Sequence, residues 1–149
     1  MDTIIYFYTP KHYFLDNFSA FSIVYQDTLW PTVEHAYQAA KFDDITIIER
    51  IQKAGSPSEA KDIAHEGDVI PLIRLHWEDE KIDVMRNLLR QKVIQHPKVR
   101  KKLLETGEVM IVENSPTDSF WGCGLDKKGE NWLGKLWVEI RSEIQGDKL

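Results

Sequence analysis

The sequence predicts a mainly α fold of the α+β class, a compact single-domain helical bundle with a few short strands. Helix start and stop signals recur along the 149 residues, whereas only a few short runs are rich in β-branched and aromatic residues. The regular alternation of strands and helices that predicts a parallel sheet is missing. Because no internal repeat, low-complexity segment or linker interrupts the sequence, we expect one domain over residues 1–149.

The N-terminal part predicts short strands separated by an ordered loop. Residues 4–8 are β-branched and aromatic, and Pro10 ends the run. Residues 13–21 are dense in aromatic residues but also contain Asp, Asn and Ser, which is typical of an ordered loop with polar tips. Residues 23–25 and 28–30 flank a Gln-Asp pair, and this arrangement predicts a small hairpin that leads into the next helix.

The central element is a helix predicted within residues 30–42, whose sequence is W-P-T-V-E-H-A-Y-Q-A-A-K-F. Its start is open between Pro31 at the first helical position and Thr32 as the N-cap. His35 points away from Glu34 on the helical wheel, so we expect an ordinary surface or supporting histidine rather than a catalytic one. At about 100° per residue one arc of the helix is apolar, and it comprises Val33, Ala36, Tyr37 and Ala40.

A polar stripe borders this apolar arc. Glu34 and Lys41 are seven residues apart, which places them within roughly 20° of each other around the helix axis. Gln38 lies between them. Two interpretations remain open: a solvated flank in which Glu34 and Lys41 are too far apart to pair, or the edge of a cleft that shifts their pKa values.

The next two segments contain explicit helix boundaries. Residues 44–54 predict a helix with Asp44 as its N-cap and a glycine as its stop. Residues 56–67 predict another helix, and their Ser-Pro-Ser-Glu start has the pattern of a capping box. In that pattern Ser56 is the N-cap and Glu59 is the third helical residue.

The second half of the chain predicts an extended link, a long helix, a short helix, a strand and a last helix. An acidic Glu-Asp-Glu run suits the N-terminus of the long helix because of the helix dipole. Asn131 is the expected N-cap of the last helix. The five predicted ranges are residues 71–76, 77–96, 97–106, 109–113 and 132–145.

Composition limits the possible classes of protein. A net charge of −5 argues against broad binding of duplex nucleic acid. We expect no membrane association and a cytoplasmic location, since no apolar run approaches roughly 18 residues and the N-terminus lacks a signal pattern.

The single cysteine, Cys123, excludes an internal disulfide and is expected to have a packing or incidental role. The five histidines show no metal-ligand spacing, so we expect neither metal nor cofactor. A basic cluster is interpreted as a solvated helix face; its members are Arg86, Arg90, Lys92, Lys98, Arg100, Lys101 and Lys102.

Three stretches that are distant in sequence combine polar groups with aromatic rings, as a nucleotide pocket requires. They are residues 17–18, 34–41 and 115–131. In the last stretch Asp118 is either a turn cap or a functional carboxylate, and Trp121, like Trp77, is either a core residue or a stacking platform.

The same stretches closely resemble the NADAR family, which includes the YbiA-like N-glycosidases of bacteria. The resemblance rests on Y-F-L-D-N-F at residues 13–18, the helix segment at residues 30–42, and S-P-T-D-x-F-W-G-x-G-L-D-x-x-G-x-N-x-L-G-K-L at residues 115–136. It covers about residues 6–141, so we expect a NADAR-like domain. The resemblance implies cleavage of a bond between ribose and a nucleobase-type nitrogen.

The resemblance also implies which residues form the site. Glu34, Lys41 and Asp118 are the expected catalytic residues. The substrate would be a small nucleotide-like molecule, such as the ribosylaminopyrimidine phosphate of riboflavin synthesis, or ADP-ribosylated guanine in single-stranded nucleic acid. The alternative is a non-catalytic module that binds ADP-ribose, and in either case we expect a monomer or weak homo-oligomer. The expected substrate-binding residues are Asn17, Phe18, Gln38, Trp77, Trp121, Gly122 and Asn131.

Overall fold

The computed structural model describes residues 3–8 and 10–149, which form six α-helices and four short strands. This confirms the predicted mainly α, α+β class. The chain divides into two compact units: the first comprises residues 1–16 and 93–149, and the second residues 17–92. In chain order the elements are β1 (Ile4–Phe7), β2 (Ile23–Tyr25), β3 (Thr28–Trp30), α1 (Val33–Ala39), α2 (Ile45–Gln52), α3 (Pro57–Ala64), α4 (Trp77–Gln95), α5 (Pro97–Glu105), β4 (Met110–Glu113) and α6 (Trp132–Gln145).

The first unit is built on a two-stranded parallel sheet. β1 pairs with β4 in the register Ile4↔Met110, and α6 packs on β4. The approach is so close that a Cβ at Gly134 of α6 would overlap the carbonyl oxygen of Ile111. Trp137 of α6 is fully buried, and its indole N–H donates to the carbonyl of Leu15 at 3.1 Å. Backbone contact therefore fixes the position of α6 on the sheet.

The second unit surrounds α1. β2 and β3 form the predicted hairpin, with Val24 opposite Leu29. The turn residues Gln26 and Asp27 both have positive φ, as two-residue hairpin turns require. α1 contacts β3, α2 and α3, and all seven residues of Val33–Ala39 are buried.

The structure confirms most of the helix starts that local capping signals predict. Thr32 is the N-cap of α1 and accepts a hydrogen bond from the backbone N–H of His35, so the alternative with Pro31 inside the helix is wrong. Asp44 caps α2 as predicted. Ser56 Oγ accepts from the N–H of Glu59. The other half of the capping box differs, because the carboxylate of Glu59 accepts from Gly55 rather than from Ser56.

The end of α1 and two connecting segments differ from the prediction. α1 ends at Ala39 instead of continuing to Phe42, because the N–H of Lys41 turns to the carbonyl of Gln38 and that of Phe42 to the carbonyl of Ala39. The predicted extended link contains a 3₁₀ turn at Ile70–Leu72. A second 3₁₀ turn, Tyr13–Leu15, lies in the predicted ordered loop.

Asn131 precedes α6 as predicted, but its side chain does not cap that helix. Its backbone is left-handed, with φ of 53°. The side-chain amide instead accepts from the N–H of Glu113 and donates to the carbonyl of Ile111. The predicted N-cap position is confirmed, but the capping hydrogen bond is absent, since the side chain joins the start of α6 to β4. Among the described residues, no helix is both long and apolar enough to span a bilayer.

Candidate active site

Helix α1 is buried on every side, yet it is not apolar. Glu34 is 7% exposed and Gln38 3% exposed, and Lys41, just past the helix end, is 8% exposed. The solvated-flank interpretation is therefore wrong. Buried polar groups are costly unless they are hydrogen-bonded, so the partners of each side chain show whether it has a structural purpose.

His35 has such a purpose. Its Nε2 lies 3.1 Å from the carbonyl oxygen of Ala54, and its Nδ1 lies 2.8 Å from Thr32 Oγ1. Because a carbonyl only accepts, Nε2 must carry the proton, and the threonine hydroxyl donates to Nδ1. Burial lowers the pKa of His35 and favours this neutral form. Of the two alternatives, the surface location is wrong and the supporting role fits: Nε2 joins α1 to residue 54, and Nδ1 bonds to the N-cap Thr32.

Glu34 and Gln38 form the polar face of α1. The amide of Gln38 donates from Nε2 to Glu34 Oε1 at 2.7 Å. This bond fixes the orientation of the amide, so Gln38 Oε1 points away from the Glu34 carboxylate. That oxygen is buried and has no hydrogen-bond partner within the described part of the chain. A buried acceptor of this kind is a candidate for binding a ligand donor.

Lys41 has an amine with altered acidity. Its pKa is lowered from 10.5 to about 8, chiefly by burial and also by the positive charges of Lys61 and Lys81. The negative charges of Glu34 and Glu78 act in the opposite direction. The amine lies 5.5 Å from the centre of the Tyr37 ring. A lysine with a pKa near physiological pH can act as a nucleophile or proton acceptor as well as a cation.

Asn17 lies against the start of α1. Its backbone carbonyl accepts from the N–H of Glu34 at 3.2 Å. Its side-chain Nδ2 donates weakly to Met85 Sδ at 3.5 Å, while Oδ1 is buried and without a partner among residues 3–8 and 10–149. The neighbouring Phe18 is 37% exposed. The structure thus brings together the predicted residues Asn17, Glu34 and Gln38.

Trp77, the last predicted site residue of the second unit, is almost completely buried. Its ring packs against Tyr37 with centroids 5.3 Å apart, and the guanidinium of Arg74 lies 5.7 Å above it. Tyr37 in turn lies under Lys41. Trp77 therefore supports the lysine through Tyr37, and the structure favours the core alternative for this side chain.

The predicted site residues of the first unit are tied into their own loop. Asp118 Oδ1 accepts from the backbone N–H groups of Phe120 and Trp121 at 2.9 and 2.8 Å. This is the turn-capping alternative for Asp118. A Cβ at Gly122 would lie 2.8 Å from the carbonyl oxygen of Glu113, so close packing explains this glycine. The Gly122 carbonyl accepts from the N–H of Asn131 at 3.0 Å.

The burial of Lys92 was missed. Lys92 was assigned to a solvated basic face, but it is 0% exposed. Its Nζ donates to Ser19 Oγ at 2.9 Å and lies 5.2 Å from the centre of the Phe21 ring. The signal was its spacing: Met85, Leu88 and Lys92 follow the i, i+3, i+7 pattern of a buried helix face.

Comparison with known proteins places this chain in a family. The model of the NADAR domain matches residues 6–145. The solved NMR structure of Escherichia coli YbiA superposes with a TM-score of 0.88 and 38% identity, over 99% of this chain and 88% of that one. The chain belongs to the NADAR domain family.

Its relatives are named as enzymes. The N-glycosidase Npun_R5314 of Nostoc punctiforme is 43% identical over 95% of this chain and 92% of its own length. The N-glycosidase YbiA of Escherichia coli is 39% identical over 99% of this chain and 92% of its own. The riboflavin biosynthesis protein VVA0006 of Vibrio vulnificus is 39% identical, and the match covers 40% of that longer protein. These relatives confirm the predicted class of reaction, cleavage of an N-glycosidic bond.

Proposed function

We propose that this protein hydrolyses the bond between ribose and a nucleobase-type nitrogen. The substrate is bound and cleaved in this proposal by the side chains of Asn17, Glu34, Gln38 and Lys41. One observation carries the assignment to these residues. Two buried acceptors, Asn17 Oδ1 and Gln38 Oε1, have no partner within the described residues. Both residues are bonded to Glu34, Gln38 through its amide to the carboxylate and Asn17 through its carbonyl to the backbone N–H. Such acceptors are expensive to bury. Substrate groups that donate hydrogen bonds, such as ribose hydroxyls, would satisfy both.

Glu34 has the chemistry that the transition state needs. Cleavage at an anomeric carbon passes through an oxocarbenium-like state, which a nearby negative charge stabilises. The bond from Gln38 Nε2 holds one carboxylate oxygen of Glu34, so the group is fixed in orientation before substrate binds. Glu34 stabilises the cation or activates water in this proposal.

Lys41 has two possible roles, and an experiment separates them. As a cation it holds a ribose hydroxyl or a phosphate. As a neutral amine it adds to the C1=N imine that the ring-opened sugar forms with the base. The bond from C1 to the base nitrogen then breaks, the base leaves with the proton given up by the lysine amine, and water hydrolyses the lysine imine to release the sugar and restore the amine. Borohydride reduces an imine to a stable amine. A sugar-sized mass increase on the Lys41 peptide after borohydride treatment supports the covalent role, and its absence during active turnover supports the cation.

The roles predicted for Asp118, Trp121, Gly122 and Asn131 rest on the family resemblance and stay predictions. In those roles Asp118 is the second carboxyl, acting as acid or base beside Glu34, and Trp121 stacks on the base. Asn131 binds ribose or phosphate. Each of these residues also has a structural task in its loop, so their variants need a stability measurement beside the activity.

For the substrate we favour the ribosylaminopyrimidine phosphate of riboflavin synthesis. Relatives named for riboflavin biosynthesis support this choice, and the net charge of −5 favours a small molecule over a nucleic acid. ADP-ribosylated guanine in single-stranded nucleic acid is the second candidate, because a single exposed base needs only a local groove. The cytoplasmic location and the monomeric or weakly oligomeric state stay predictions.

The test measures base release by chromatography from both substrates with wild-type protein, Glu34→Gln and Glu49→Gln. Glu49 lies exposed on α2 and serves as the matched control. We expect wild type and the control to release base from at least one substrate, and Glu34→Gln to lose turnover. Binding of ADP-ribose without base release by wild type would instead support the non-catalytic module.

A further inference from the structure

Helix α4 holds the loop at residues 17–21 at two points. Met85 Sδ accepts from Asn17 Nδ2 at 3.5 Å, and Lys92 Nζ donates to Ser19 Oγ at 2.9 Å. Met85 and Lys92 are seven residues apart on one face of the helix, which spaces the two anchors about 10 Å along its axis. The loop between these anchors is short, so a shift at Ser19 moves Asn17.

The second anchor is the fully buried amine of Lys92. Lys92 is 0% exposed and Ser19 is 1% exposed. A lysine is almost never fully buried without partners, and Ser19 Oγ is one partner of this amine. The ring of Phe21 lies 5.2 Å from Nζ and packs against it from the same loop. A leucine or methionine would fill this space without the cost of removing an amine from water. A bond to a specific hydroxyl is what the lysine adds.

The loop held in this way belongs to the proposed site. The Asn17 carbonyl accepts from the N–H of Glu34, so the loop is joined to α1 at one end and to α4 along its length. Asn17 Oδ1 is the buried acceptor that has no partner in the described chain. Its Nδ2 contact with a thioether is weak and fixes the amide poorly. The position of Oδ1 therefore depends on the loop backbone.

We propose that Lys92 is a positioning residue: through Ser19 it fixes the 17–21 loop and so places Asn17 Oδ1 to accept a hydrogen bond from substrate. This inference rests on the proposed function, since it assigns Asn17 to that site. Lys92 itself does not touch the substrate. Its effect is on binding, because Glu34 and Lys41 are held by α1 and its own neighbours.

The first test compares the kinetics of Lys92→Met and Ser19→Ala with wild type. Loss of a hydrogen bond that acts equally on bound substrate and transition state raises KM and leaves kcat unchanged. We expect KM to rise about tenfold in Lys92→Met and about threefold in the milder Ser19→Ala, with kcat within about twofold of wild type. Ile51→Val, a buried change in α2, is the control that lowers stability without a change in KM.

A double-variant cycle tests whether the effect passes through Asn17. In an Asn17→Ala background, Lys92→Met should raise KM no further, because the side chain that it positions is gone. A full additional rise in KM would overturn the proposal. So would an unchanged KM in a folded Lys92→Met protein.

Hydrogen exchange of the free protein gives a readout that needs no substrate. We expect the backbone amides of residues 18–22 to exchange about tenfold faster in Lys92→Met than in wild type, and at the wild-type rate in Ile51→Val. Unchanged exchange in Lys92→Met would overturn the positioning role whatever the activity. Wild-type protein that releases no base from either substrate would overturn the proposed function instead.

Discussion

The buried amine of Lys41 links the structure to a measurable equilibrium. Its pKa falls from 10.5 to about 8, chiefly through burial. At pH 7.5 a pKa of about 8 leaves about a quarter of the side chain neutral, compared with about 0.1% for an ordinary lysine. Replacement by methionine keeps most of the side-chain volume and removes the charge. Lys41→Met is therefore the perturbation that tests this burial.

The lowered pKa makes the stability of the protein depend on pH. Because the pKa of the folded state lies below that of the unfolded chain, the unfolded chain binds more protons between pH 8 and 10.5, and stability rises through that window. Below pH 8 the buried charge destabilises the folded state by about 3 kcal/mol. Lys41→Met also loses the attraction to Glu34, so we expect it to raise the free energy of unfolding by about 1–3 kcal/mol at pH 7.

The assay is urea unfolding at pH 7 and at pH 10.5. The difference between wild type and Lys41→Met should be largest at pH 7 and should shrink towards pH 10.5, where the lysine is neutral in the folded state and about half neutral in the unfolded chain. Lys53→Met, at an exposed position after α2, is the matched control and should change the free energy of unfolding by less than about 0.5 kcal/mol. Destabilisation by Lys41→Met at pH 7, or a difference that does not depend on pH, would refute the reasoning.

Three further predictions concern single positions. Gly134→Ala should destabilise the protein by more than about 3 kcal/mol in urea unfolding, because its Cβ would overlap the carbonyl oxygen of Ile111; Gly67→Ala, which meets nothing within 4 Å, should stay within about 0.5 kcal/mol. Asn131→Ala removes two hydrogen bonds to β4 and should cost about 1–3 kcal/mol; an added rise in KM would support its predicted contact with substrate, and an unchanged stability would contradict the structural bonds. Glu34→Gln removes a charge that raises the pKa of the neighbouring lysine, so competitive amine labelling against pH should show that pKa below about 8, and a higher value would contradict the stated electrostatics.

The sequence allowed prediction of those features that depend on neighbouring residues. Thr32, Asp44 and Ser56 all cap helices as their local patterns indicate. The side-chain cap predicted at Asn131 is absent because this side chain bonds to residues of β4, about twenty positions earlier in the chain. A cap pattern contains no information about such a distant acceptor. Interactions of this kind are the part of the fold that local patterns miss.

Local sequence patterns also left part of the candidate site unpredicted. The helical wheel correctly grouped Glu34 and Gln38, but it left their exposure open, because burial of α1 comes from elements that surround it in the folded unit. Lys92 was misassigned because its charge was weighted above its spacing on the buried face of α4. The resemblance to the NADAR family supplied the candidate residues of the proposed site. The structure adds which of their atoms lack partners and how burial alters Lys41.

The most direct test of the central claim compares single-turnover rates of wild type, Glu34→Gln, Lys41→Met and the double variant on the substrate that wild type cleaves. Equilibrium binding of the same substrate is measured in parallel. If Glu34 and Lys41 act as one catalytic unit, each single variant binds substrate but loses turnover, and the double variant is about as slow as the slower single variant. Turnover at the wild-type rate in either single variant, or losses that multiply in the double variant, would contradict the account.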